Sequence, residues 1–151
     1  MEQKQIKILA VCLGNICRSP ICHGLLEHYA KQYDKDIIVD SAGTIGIHSG
    51  SPPDHRSIEI MKVYGHDISH QRSRKFHHYD FEEYDIILAM DRSNYLDLCS
   101  IAINEKEESK VHMVIDGMNV PDPYYGGDEG FENVYQMLDE AVQKWLNELV
   151  D

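Results

Sequence analysis

The sequence has 151 residues, 42% of them hydrophobic and 26% charged, with a formal net charge of −12 at neutral pH. That length suits a single domain over 1–151 with a real core, and the acidic balance speaks against nucleic acid, whose phosphates need a basic face. No apolar run is long enough to span a bilayer and residues 1–5 lack the apolar stretch of a signal peptide, so a cytoplasmic protein without membrane insertion is expected.

Ile6 to Val11 is a near-continuous apolar run, which suits a central parallel strand buried on both faces. A helix is predicted from about Pro20 to Tyr33, with Ile21, Leu25, Leu26, Tyr29 and Ala30 on one face. Pro20 is tolerated in its first turn, where an N–H would be unpaired anyway. Asp36 to Ala42 reads as the second strand and runs into a Gly/Ser/Pro loop over 43–53, long enough to be functional. A helix follows over Asp54 to Tyr64, with Ile58 and Met61 facing inward, Val63 a third candidate, and Gly65 as its stop. Asp80, Glu82 and Glu83 suggest a short helical turn. Tyr84 to Met90 is a third strand, and Asp91-Arg92-Ser93-Asn94 a polar turn capping a helix from Tyr95 to Ile101. The acidic run at 105–108 reads as solvated surface. Lys110 to Ile115 is a fourth strand, 116–130 a loop, and Phe131 to Val150 a long helix with one apolar stripe.

Strands alternating with helices indicate an α/β domain with a mainly parallel sheet and right-handed crossovers. In such sheets ligands bind beyond the carboxyl ends of the strands. The segment after Val11, Ser41, the 43–53 loop, Asp91 to Asn94 and the loop around Asp122 all follow strands. They are expected to converge on one composite site.

The segment Cys12-Leu13-Gly14-Asn15-Ile16-Cys17-Arg18-Ser19-Pro20 lies between the first strand and the first helix. Backbone N–H groups and the positive helix end favour an anion there. A free cysteine ionises near pH 8.5, roughly, and is mostly thiol at neutral pH. Loop amides, the helix dipole and Arg18 should each favour the Cys12 thiolate. The amides from Leu13 to Arg18, with the Arg18 fork, fit a tetrahedral oxyanion. Gly14 is expected to supply a left-handed turn, Asn15 to brace the loop, and Ser19 to donate a hydrogen bond to the thiolate. Arg18, Arg56, Arg72, Arg74 and Lys75 are candidates for a local basic patch. The four cysteines, 12, 17, 22 and 99, show no zinc spacing. No metal and no cofactor is called for. Cys22 and Cys99 read as small buried hydrophobes.

The text Val-Cys-Leu-Gly-Asn-Ile-Cys-Arg-Ser-Pro, together with Asp40-Ser41-Ala42-Gly43, Met90-Asp91-Arg92-Ser93-Asn94 and Asp122-Pro123-Tyr124-Tyr125-Gly126, resembles the low-molecular-weight protein tyrosine phosphatases over nearly the whole length. The resemblance implies a three-layer α/β/α, flavodoxin-like fold with a four-stranded parallel sheet and a phosphate-binding loop between the first strand and first helix. It implies hydrolysis of protein phosphotyrosine and small aryl phosphates through a phosphocysteine on Cys12. Arg18 would clamp the phosphate and Asp122 would serve as general acid, then base. Leu13, Gly14, Asn15, Ile16, Cys17 and Ser19 would bind the phosphate. Tyr124 and Tyr125 would wall the cleft and, as in the family, could themselves be phosphorylated. Ser41 and Asn94 would support the site, with Asp91 and Ser93 as structural loop residues. Cys17 would pair reversibly with Cys12 under oxidation. Expected partners are tyrosine-phosphorylated proteins and phosphate or other oxyanion inhibitors.

Two positions depart from the family pattern. Ile47, next to His48, stands where an aromatic wall residue is usual. A histidine that supports the loop appears as Gln71, with His70 adjacent, so either could brace Asn15. Two alternatives stay open. One is an arsenate reductase on the same scaffold, for which Cys99 is the only distant thiol. The other is a phosphate-binding redox sensor without turnover.

Overall fold

The computed structural model describes residues 5–149. Residues 1–4 and the expected helix end at Val150 lie outside the described residues. In chain order the elements are β1 (Ile6–Cys12), α1 (Arg18–Gln32), β2 (Ile37–Gly43), α2 (His55–Val63), α3 (Asp80–Glu83), β3 (Ile86–Ala89), α4 (Arg92–Ile101), α5 (Glu105–Glu108), β4 (Val111–Met113) and α6 (Asp128–Glu148). The four strands form one sheet in the order β2-β1-β3-β4, and every neighbouring pair is parallel. This is the flavodoxin-like α/β architecture.

The run Ile8 to Cys12 is buried throughout because β1 is central and covered on both faces. Its side chains alternate between two cores. Ile8, Ala10 and Cys12 join the cluster built with α1, α2 and α6. Leu9 and Val11 join Phe76, Phe81, Ile87 and Leu98 on the other side. From β1 the chain crosses to β2 on one flank and later returns to β3 on the other. The crevice at such a switch point is where α/β sheets bind ligands, and Cys12 ends the strand that opens into it.

Several boundaries differ from expectation, and side-chain caps explain two of them. Helix α4 starts at Arg92 rather than Tyr95, because Asp91 is its N-cap and accepts the Asn94 N–H. Asn104 caps a helical turn, α5, inside the acidic run. Helices α1 and α6 begin two and three residues early, at Arg18 and Asp128. Val63 does not face inward but is 74% exposed. Two residues beyond Met61 is about 200° around the helix, the opposite face. Cys22 is fully buried, whereas Cys99 on α4 is only partly so.

Candidate active site

Five residues, Leu13 to Cys17, connect β1 to α1. The loop's carbonyls are turned outward and held there. Cys12 O accepts from Thr44 N at 2.9 Å, Leu13 O from Ile45 N at 3.0 Å and Ile16 O from Asp54 N at 2.7 Å. Gly14 O accepts from Ser73 Oγ at 2.9 Å, and Cys17 O from Ser57 Oγ at 3.2 Å. Among the described residues no backbone carbonyl takes up the amides of Leu13 to Cys17. They are left to line a nest for an anion at the start of α1.

The left-handed residue of this turn is Asn15, at φ 58°, and not Gly14. Asparagine tolerates that conformation better than most residues. Its side chain is fixed on three sides: Nδ2 donates to Ser19 Oγ at 2.7 Å and Ser41 Oγ at 3.0 Å, and Oδ1 accepts from Arg74 N at 3.1 Å. Gly14 is needed for space instead, since a Cβ there would lie 2.9 Å from the His48 ring. Cys12 Sγ lies 3.1 Å from Ser19 Oγ, so the hydroxyl can donate to a thiolate.

Neither His70 nor Gln71 braces Asn15. His70 is exposed, and Gln71 Nε2 donates to Pro20 O at 3.2 Å. The histidine in the network is His23 of α1. Its Nδ1 lies 3.1 Å from Ser41 Oγ, and its Nε2 is 3.3 Å from Glu27. A histidine one turn before a helix Glu gave no signal in the sequence that it would turn inward.

Arg18 is 3% exposed. Its NH1 donates to Asp91 Oδ2 at 2.5 Å and to Val120 O at 3.0 Å, which fixes the plane of the fork. Burial opposes its charge, but facing Cys12 and Asp91 hold it above the usual guanidinium range. Asp91 therefore does two jobs, capping α4 with one oxygen and anchoring Arg18 with the other. Asn94 is buried and contributes through its N–H to Asp91, while its side-chain oxygen has no partner among the described residues. Of the five candidate basic residues only Arg18 lines the cavity, although the Arg56 charge reaches the Cys17 thiol. Arg74 pairs with Asp40 and Asp80, Arg72 bonds the carbonyls of Ser69 and Gln71, and Arg56 pairs with Asp54.

Above the nest is a cavity of about 230 Å³ lined by Cys12, Leu13, Gly14, Ile16, Cys17, Arg18, Ile45, Ile47, His48, Asp122, Tyr124 and Tyr125. Asn15, Ser19 and Ser41 do not line it but sit behind it, buried. Ile45 is a wall residue that spacing did not single out. Asp122 faces the nest, with Oδ2 3.8 Å from Arg18 NH2 and Oδ1 accepting from Tyr124 N at 3.0 Å. The rings of Tyr124 and Tyr125 meet edge to face at 4.9 Å. Tyr125 is 93% exposed and Ile47 70% exposed, so the rim is open. The buried Cys17 thiol is pushed up to about 12 by desolvation first, then by Asp54, Cys12 and Asp122. Among the described residues no three His, Cys, Asp or Glu side chains are grouped to hold a metal ion.

Residues 7–151 match the family described as low molecular weight phosphotyrosine protein phosphatase. A relative of that name from Homo sapiens is 38% identical and covers 96% of both chains. Among solved structures, a protein tyrosine phosphatase from Entamoeba histolytica with Hepes in its active site is 35% identical, with a TM-score of 0.90 over 95% of this chain and 96% of that one. Wzb of Vibrio vulnificus in complex with benzylphosphonate is 32% identical, with a TM-score of 0.87 over 95% and 99% of the two chains. The chain belongs to the low molecular weight phosphotyrosine protein phosphatase family.

Proposed function

We propose that the protein hydrolyses protein phosphotyrosine and small aryl phosphates through a phosphocysteine on Cys12. The observation that carries this reading is one cavity bordered by a buried cysteine, a buried, anchored arginine and, across from them, an aspartate at its open side. The dianionic phosphoryl group sits among the amides of Leu13 to Cys17 and the Arg18 fork, which match its equatorial oxygens. Cys12 thiolate attacks phosphorus, the P–O bond to the ring breaks, and Asp122 delivers its proton to the departing phenolate. Water then attacks the phosphocysteine. Asp122 carboxylate takes the water's proton, the S–P bond breaks, and phosphate leaves with Cys12 again a thiolate. Ser19 eases that departure by its hydrogen bond to sulfur.

The open rim fits a phosphotyrosine carried on a protein, with Tyr124 and Ile47 flanking the ring. The benzylphosphonate in the Wzb complex is an aryl analogue of such a substrate. Free phosphate and related oxyanions should compete for the same nest.

Rapid quenching with labelled p-nitrophenyl phosphate should trap phosphate on Cys12. Cys12→Ser should bind vanadate or phosphate while turnover falls by about 10⁴-fold or more, as for other lost nucleophiles. A serine variant that hydrolyses like the parent would remove Cys12 from the mechanism, and binding without any turnover by the parent would favour the sensor alternative.

A further inference from the structure

The first turn of α2 belongs to neither loop of the site, yet it is bonded to both. Its cap residue Asp54 donates its N–H to Ile16 O at 2.7 Å, and Ser57 Oγ donates to Cys17 O at 3.2 Å. These two bonds rivet the helix start to the phosphate loop. Between them stands Arg56. Asp54 Oδ1 accepts from Arg56 N at 2.9 Å and Nε at 3.0 Å, and Oδ2 from NH2 at 3.2 Å. The same guanidinium also reaches the loop that carries Asp122. NH2 donates to Tyr124 O at 2.9 Å and NH1 to Gly126 O at 3.2 Å. Its carbon lies 4.6 Å from the centre of the Phe131 ring, a buried residue near the start of α6.

We propose that Arg56 is a positioning residue for the general acid: it holds the Asp122 loop at working distance above the phosphate loop. The inference rests on the acid role proposed for Asp122. An ordinary exposed ion pair between Asp54 and Arg56 would contribute little. Here Asp54 instead orients a planar fork whose remaining donors serve two carbonyls of a distant loop, a task suited to arginine and not to lysine. The held carbonyl matters because Tyr124 N–H is the group bonded to Asp122 Oδ1, and Gly126 N–H closes a turn onto Pro123 O at 3.0 Å. Fixing Tyr124 and Gly126 therefore fixes the segment that carries the acid. A loosened acid loop should slow proton delivery and leave phosphate binding intact, since misplacement of a catalytic group by about 1 Å is costly.

The test compares leaving groups. Arg56→Ala should lower kcat/KM for phenyl phosphate, a poor leaving group, by about tenfold, and for p-nitrophenyl phosphate by less than about threefold. Hydrogen exchange at amides 124–127 should rise while inhibition by phosphate is unchanged. Arg56→Lys keeps the charge but loses the fork, and should follow Arg56→Ala in both readouts. Equal losses for the two substrates, or unchanged exchange over 124–127, would overturn the proposal. If the parent hydrolyses neither ester, the functional reading fails on its own, and the exchange data in Arg56→Lys still decide whether the bracket exists.

Discussion

The phosphate loop and the Asp122 loop face each other across one cavity and are built on opposite plans. In the first, Asn15, Arg18 and Ser19 are buried and satisfied by one another, by the Ser41 hydroxyl of β2, by the Arg74 backbone N–H before α3 and by the Asp91 carboxylate that caps α4. In the second, Asp122 is 38% exposed and the loop hangs on local turns and the Arg56 bonds. The difference fits the roles proposed for the two loops. Donors for a developing oxyanion act best when they need no reorganisation. An acid that must approach a ring carried on another protein needs a loop that can admit it.

The sharpest way to break this contrast is to remove the acid alone. Asp122→Asn should lower kcat/KM for phenyl phosphate by about 10²–10³-fold, within the usual range for general acid catalysis. The loss for p-nitrophenyl phosphate should be far smaller, because its phenolate leaves without help. Thermal stability should hardly change, since the carboxylate is partly exposed and its one hydrogen bond is to a loop amide. A uniform loss across leaving groups would deny the acid role.

The reverse experiment strikes the rigid side. Asn15→Ala deletes three hydrogen bonds and places alanine at φ 58°. A lost buried network and a left-handed non-glycine residue together predict a loss of about 2–4 kcal/mol in urea unfolding. Asn15→Gly keeps the backbone angle and should recover part of that loss, but neither variant should recover activity, because Ser19 loses its partner. Unlike Asp122→Asn, both should lose equally on all leaving groups. A stable, active Asn15→Ala would show that the loop holds its shape without its brace.

The two loops were also unequally legible in the sequence. The phosphate loop was readable because its chemistry is local: a thiol, an arginine and a hydroxyl lie within eight residues, between an apolar strand and a helix. The strand and helix alternation gave the sheet, and the rule of carboxyl ends gave the convergence of Ser41, Asp91 and Asp122. What stayed hidden depends on long-range geometry. No spacing reveals that Asp91 splits its two oxygens between a helix cap and Arg18, or that His23 turns toward Ser41. The brace from Arg74 comes through its backbone N–H, which carries no sequence identity at all. Arg56 looked like one more basic residue because its partners are carbonyls of a distant loop.

Cys17 tests the smallest difference, since it belongs to the rigid loop yet faces the open cavity. We propose that it closes a disulfide with Cys12 under oxidation. Peroxide oxidises the Cys12 thiolate to a sulfenic acid and is itself reduced to water. Cys17 thiolate then attacks that sulfur, the S–S bond forms and the hydroxyl departs as water. Burial first, then Asp54, the charge of Cys12 and Asp122, push the Cys17 thiol up to about 12. At neutral pH it is therefore almost wholly protonated and does not compete with Cys12 for peroxide. The same shift sets the sign of the pH effect. Well below that value the thiolate fraction grows about tenfold per pH unit, so the closing step should speed up by about tenfold for each pH unit between pH 6 and 8. Quenched peroxide reactions mapped by mass spectrometry should show the Cys12–Cys17 pair gaining on Cys12 sulfinic acid as pH rises. A closing rate independent of pH would mean that Cys17 gives up its proton to a neighbour in the cavity, and Cys12 found only as sulfinic or sulfonic acid would mean that the two thiols never pair.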